Sequence, residues 1–158
     1  MPAAVYILRG VVDEVMAFCR SRVPDEALGV LVGRRCSHNG TRYVRVTDWA
    51  TGSTTTSPAH AEFLVRGVVE YNIELDEKYG RERAERIVGV FHSHPFGHRP
   101  ALSQRDIETF TTFPYAAEGN VFALINPLSG HFLVYARDAD GRLAETEWVE
   151  YAPKAPEA

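Results

Sequence analysis

The chain has 158 residues, enough for one domain with a sizeable core and too few for two comfortable ones. With 45% apolar and 24% charged residues it has the balance of a folded globular protein rather than a disordered one. A formal net charge of -4 gives no electrostatic reason to expect a nucleic-acid partner or an anionic membrane surface.

Residues 3–8 are apolar but too short to span a bilayer, and they lack the basic flank of a signal peptide. No other run approaches membrane length, so the expected location is the cytoplasm. The two cysteines, Cys19 and Cys36, lack the C-x-x-C spacing of a zinc clip and are expected to be reduced.

In chain order, residues 5–8 read as a short strand. Val11, Val12, Val15, Met16 and Cys19 then form a helical stripe that Pro24 stops. Residues 27–33 and 43–49 are apolar strand candidates joined through Asn39-Gly40, a pair that accepts the positive φ angles of a tight antiparallel hairpin. The Thr/Ser-rich stretch 50–58 reads as a surface loop. Leu64, Val68, Tyr71, Leu75 and Tyr79 mark one face of a long helix ending near Gly80.

Residues 86–94 form the next strand, 96–102 a loop, and Ser103 opens a short helix that ends before Pro114. Three more strands, 121–125, 131–136 and 143–149, are separated by Asn126-Pro127 and Asp140-Gly141 turns. A single α/β domain over residues 1–151 is expected, with a disordered Pro/Ala-rich tail at 152–158.

The densest chemistry is His92-Ser93-His94-Pro95 at the end of an apolar strand. Residues two apart on a strand point the same way, about 6–7 Å apart along the chain, so two imidazoles can converge on a metal. Alone the pair is better read as two polar residues on a solvated strand end, and the metal reading needs a third ligand. Asp106, within Ser103-Gln104-Arg105-Asp106, is the candidate third ligand. The same four residues also read as a capping box, with Leu102 and Ile107 as its hydrophobic staple. Two histidines and one carboxylate leave the open fourth position that a catalytic zinc site needs.

A hydrolytic site also needs a base. Glu14, Glu70, Glu74 and Glu77 lie among other charges on helices and read as solvated surface. Glu26 stands at the mouth of the apolar run 27–33, where partial desolvation raises a carboxyl's pKa toward the range useful for proton transfer, although taken alone it reads more simply as a charge flanking a strand.

Taken together, Glu26, His92-Ser93-His94-Pro95, Ser103 and Asp106 resemble the JAMM family, the metalloprotease form of the MPN domain. The stretch Pro24-Asp25-Glu26-Ala27-Leu28-Gly29-Val30-Leu31-Val32-Gly33 is similar to the Glu-containing stretch of prokaryotic members, and the likeness runs from about Val5 to Ala136. The loop from Pro95 to Leu102 is one residue longer than is usual in the family.

The resemblance implies a single MPN-like domain with a mixed, mostly antiparallel sheet flanked by helices, cytidine-deaminase-like in architecture. It implies Zn2+ held by His92, His94, Asp106 and water, with Glu26 as general base toward the zinc-bound water and Ser103 bonding the oxyanion. It further implies hydrolysis of a peptide or isopeptide bond after the C-terminal Gly-Gly of a ubiquitin-like or small sulfur-carrier protein. Residues 50–58 and 96–102 are then candidate walls of the substrate groove. A homodimer and a monomer both remain open.

Moving the third ligand to His98 would strand the Ser-x-x-Asp match. Three other readings compete. Cupin oxygenases share His-x-His, but here no glutamate follows His94 until Glu108. RadC-like proteins carry Asn where this chain has Ser93. The remaining one is a non-catalytic MPN-type scaffold or binding module.

Overall fold

The computed structural model describes residues 4–110, 112 and 119–153. β1 (Val5–Leu8) buries Val5 and Ile7 and turns Tyr6 and Leu8 to the opposite face, as strand alternation requires. α1 (Arg9–Arg22) covers the buried pair with Val11, Val15 and Cys19, spaced four apart so that they share one face. The helix ends at Val23, just ahead of Pro24.

β2 (Leu28–His38) and β3 (Thr41–Ala50) form the antiparallel hairpin expected from Asn39-Gly40, whose φ angles of 49° and 78° suit a turn that follows strand twist. Both strands run beyond their apolar runs into exposed residues. The stretch 50–58 is not all loop. β4 (Thr54–Ser57) pairs with β5 (His60–Phe63) as a separate two-stranded hairpin. Its β-branched threonines favour a strand, but β4 is almost wholly exposed and carries no apolar alternation to read. α2 (Val65–Tyr79) buries Gly67, Tyr71 and Leu75 and stops at Gly80, where φ is 84°.

β6 (Arg86–Ser93), α3 (Gln104–Thr109), β7 (Val121–Asn126) and β8 (His131–Arg137) follow. The expected single strand 143–149 is two. β9 (Leu143–Thr146) pairs with β8, whereas β10 (Trp148–Tyr151) runs parallel to β1 at the far edge of the sheet. The break at Glu147 has neither Gly nor Pro to announce it.

The eight-stranded order is β10-β1-β3-β2-β6-β7-β8-β9, parallel at β10-β1-β3 and β6-β7 and antiparallel elsewhere: a mixed sheet in an α/β domain. It curls enough that Trp148, on the β10 edge, donates its indole N–H to the Phe132 carbonyl of β8 at 3.0 Å. One apolar cluster lies between the sheet and α1, and a second lies under α2, β5 and Phe110.

Both cysteines are free thiols. Among the described residues no helix is long and apolar enough to cross a membrane. Of the expected tail, residues 154–158 lie outside the described residues.

Candidate metal centre

The register between β2 and β6 shifts at Leu31/Val32, which face Gly89 and Ile87 and leave Val88 as an extra residue. Past this bulge Phe91 packs in the α1 cluster and Val90 in the α2 cluster, so alternation turns His92 and His94 to the α2 side. Ser93 points the other way. Its hydroxyl accepts the Ala27 N–H at 2.7 Å, and its own N–H bonds the Ala27 carbonyl at 3.0 Å. Ser93 also bonds the thiol of Cys19, yet burial dominates and pushes that thiol up to about 12, keeping it unreactive.

Pairing β6 to residue 27 in this way places Glu26 beside the histidines. The Glu26 N–H bonds the Ser57 carbonyl at 2.9 Å, which docks the β4-β5 hairpin against the same spot. The fourth group comes from α3. Ser103 caps that helix, its hydroxyl accepting the Asp106 N–H at 3.1 Å, while Asp106 Oδ2 accepts the Ser103 N–H at 2.8 Å. Cap and cluster are one arrangement: the capping box fixes the carboxylate where the histidines are. The expected staple is not built this way, since Leu102 packs into the α2-side cluster and Ile107 is exposed.

All four residues that sequence reasoning placed at the metal and its base therefore meet. Glu26 is 2% exposed, His92 3%, His94 5% and Asp106 8%, so they form a nearly dry polar cluster. His94 Nε2 lies 3.3 Å from Glu26 Oε1 and 3.1 Å from Asp106 Oδ2, and His92 Nε2 is 3.7 Å from Asp106 Oδ1. The two imidazole centroids are 4.7 Å apart. Glu26, His92 and His94 each offer a ligand atom within 4.8 Å of the other two, a set that could hold a metal ion.

Ser103 sits at the cap with its residue exposed beside Asp106. His98 stands apart from the cluster, its ring against that of His131 at 4.8 Å.

The electrostatics separate the two carboxyls. Burial raises Glu26 to about 7, with the nearby His94 acting only partly against it. Burial also works on Asp106, but the bonds and charges of His94, His92 and the Ser103 N–H outweigh it and hold that carboxyl down at about 2. His92 is lowered by burial to about 4, so its ring is neutral and carries a free lone pair at neutral pH. His92 Nε2 is buried with no hydrogen-bond partner. A buried ring nitrogen without a partner is costly unless something binds there, and a cation bound also by His94 and a carboxylate answers the need. Donor atoms about 3.3–3.5 Å apart are what a shared tetrahedral ion requires, and the observed 3.1 and 3.7 Å bracket that spacing.

Sequence reasoning missed three contributors. His60, on the unforeseen β5, is close enough to act electrostatically on His92. Phe96 stacks on His94, centroids 5.2 Å apart and planes 16° from parallel. Asn126, read only as part of a turn, holds the backbone of residues 96–98. None shows a periodic or motif signal.

No curated protein matches the chain. The fold matches the solution structure of protein DSY2949 from Desulfitobacterium hafniense, with a TM-score of 0.69 and 20% identity over 94% of this chain and 93% of that one. A family profile described as prokaryotic homologs of the JAB domain matches residues 8–143, which takes in every element from α1 to β8 and all the site residues. The chain belongs to this family, the prokaryotic branch of the JAB/MPN domain.

Proposed function

We propose that this protein is a zinc-dependent metalloprotease or isopeptidase. Its substrate is a peptide or isopeptide bond following the C-terminal Gly-Gly of a ubiquitin-like or small sulfur-carrier protein. The observation that carries the reading is the buried, unpartnered His92 Nε2 facing His94 and a capped carboxylate. His92, His94 and Asp106 would hold the ion. Zinc held there would supply Lewis acidity, able to polarise a carbonyl and to lower the pKa of water.

The two carboxyls divide the remaining work. Asp106 reaches toward both imidazoles and stays ionised, which suits a ligand. Glu26 lies in ion-pair range of His94 but not of His92, and it titrates near neutrality, which suits a group that takes a proton from water and passes it to the leaving amine. Ser103 accepts from the Asp106 N–H through a lone pair, so its O–H remains available to a developing oxyanion.

Two surface features support a protein substrate. β4 is an exposed strand next to Glu26, able to pair with an extended chain. Val65, Val69 and Ile73, 85%, 52% and 51% exposed, lie four residues apart on the outer face of α2, which follows β5 directly. A flat apolar stripe of this kind fits the body of a folded modifier whose tail enters the site.

The test is incubation of zinc-loaded protein with modifier fusions ending in Gly-Gly, with Glu26→Gln as control. Cleavage after the second glycine by the parent protein alone is the expected result. Stoichiometric zinc with no cleavage of any fusion would favour a scaffold instead.

A further inference from the structure

The loop after the histidine pair is held by one buried side chain on a neighbouring strand. Asn126, fully buried at the end of β7, points its carboxamide nitrogen at three successive carbonyls: Phe96 at 3.2 Å, Gly97 at 3.3 Å and His98 at 2.9 Å. Its oxygen accepts the N–H groups of Leu128 at 3.0 Å and Ser129 at 3.4 Å. Ser129 adds a hydroxyl bond to the His98 carbonyl at 2.8 Å and lies 2.8 Å from His131 Nδ1. The β7-β8 turn and residues 96–98 are therefore one stitched unit.

That unit bears on the metal centre through Phe96. Phe96 is 53% exposed, so burial does not explain its position, yet its ring lies almost parallel to the His94 imidazole. An exposed aromatic on an unanchored loop would sample several rotamers at little cost. Here the carbonyls of residues 96–98 are fixed, which fixes the Cα of Phe96 and narrows where its ring can go. The stacked ring in turn limits rotation of His94 about its own side-chain bonds. Changing groups outside the ligand set that orient a ligand typically costs about 10–100-fold in metal affinity.

We propose that Asn126 is a positioning residue for the metal centre, acting through the 96–98 backbone and the Phe96 ring to hold His94 in its ligating orientation. The inference rests on the reading of His94 as a metal ligand.

The experiment is a double-mutant cycle of zinc affinity, measured by chelator competition on the full chain, with folding checked by circular dichroism. Asn126→Asp keeps the side-chain shape but replaces the donor facing three carbonyls with an acceptor. Phe96→Ala removes the stacked ring at an exposed position. Each single change should weaken zinc binding about 10–100-fold. The double variant should be no weaker than the worse single one, because both act along the same chain of contacts. Phe96→Tyr should keep the parent affinity.

Multiplying effects would mean that Asn126 acts only on general stability and would overturn the proposal. So would unchanged affinity in either single variant. If Asn126→Asp fails to fold, Ser129→Ala, which removes the hydroxyl bond to His98, takes its place in the cycle. Failure of the parent protein itself to bind zinc would overturn the metal reading, a result distinct from parent-like affinity in the variants.

Discussion

Asp106 Oδ1 stands 3.7 Å from His92 Nε2, too far for a hydrogen bond and near the spacing of two donors on one ion. The other oxygen of the same carboxylate closes the capping box on Ser103. Local helix chemistry and the proposed metal centre thus share one side chain, and substitution separates the two roles. Asp106→Ala should remove zinc affinity by well over the ~100-fold that changes outside the ligand set cost. Ser103→Ala should keep zinc while losing the cap, about 0.5–2 kcal/mol of stability, and turnover by about 10²–10³-fold. Chelator competition and urea midpoints measure these effects. Parent-like zinc binding in Asp106→Ala would reduce that residue to a cap alone.

Glu26→Gln should retain zinc and lose about 10²–10⁴-fold in turnover, since the amide keeps shape and burial but cannot take up a proton. Zinc stoichiometry by mass spectrometry and single-turnover cleavage decide it. Loss of metal in this variant would instead make Glu26 a ligand, a role its proximity to both histidines allows.

The Val65, Val69, Ile73 stripe predicts a binding defect separable from chemistry. Val69→Glu should raise KM for a cleaved fusion about tenfold, equivalent to about 1.4 kcal/mol of binding, with kcat, zinc content and Tm unchanged. Its 52% exposure means that the fold has little stake in it. Equal KM values would remove the stripe from substrate recognition.

How much of this was legible beforehand depended on whether a signal was periodic. The α1 stripe Val11, Val15, Cys19 and the α2 stripe Tyr71, Leu75 show on a helical repeat, and Asn39-Gly40 names its own turn. The strand and the following Ser-x-x-Asp bring His92, His94 and Asp106 within reach by short-range rules. Glu26 arrives by a different route: its seat depends on the Ala27-Ser93 bonds across β2 and β6, a pairing no local pattern encodes. The crossing of β10 to the far edge and the reach of Asn126 to residues 96–98 are likewise long-range choices, made by packing rather than propensity, whereas the β4-β5 hairpin is local but too exposed to show an apolar alternation.

Away from the site, Asp48 supplies a pH-dependent tie between β3 and α2. Burial works to raise its carboxyl, but hydrogen bonds from Lys78 at 2.6 Å and from Tyr79, with the Trp49 N–H, outweigh it and leave the group below its ordinary value. A carboxyl depressed in the folded state stabilises above its unfolded value near 3.8, and loses that contribution as pH falls through the lower folded value. Asp48→Asn should therefore lower Tm at pH 7, with the gap to the parent closing on acidification below about pH 4. A gap constant with pH would assign the loss to shape rather than charge.

Gly29, on β2, has Phe91 of β6 lying over it. A Cβ at position 29 would fall 2.2 Å from Phe91 Cζ and 2.9 Å from the Ala50 carbonyl oxygen. The ring has little freedom to retreat, being fully buried with Phe18 and Trp49 at centroid distances of 6.1 and 5.9 Å. Gly29→Ala should then cost about 1–3 kcal/mol as overpacking, read from urea midpoints at constant m. Because the obstacle is the ring, Phe91→Leu should relieve much of that cost, so that the double variant is more stable than the sum of the singles allows. Strictly additive losses would place the conflict at the Ala50 backbone instead. Phe91 adjoins His92, so the same cycle repeated with zinc measures whether strain behind the strand reaches the ligand pair in front of it.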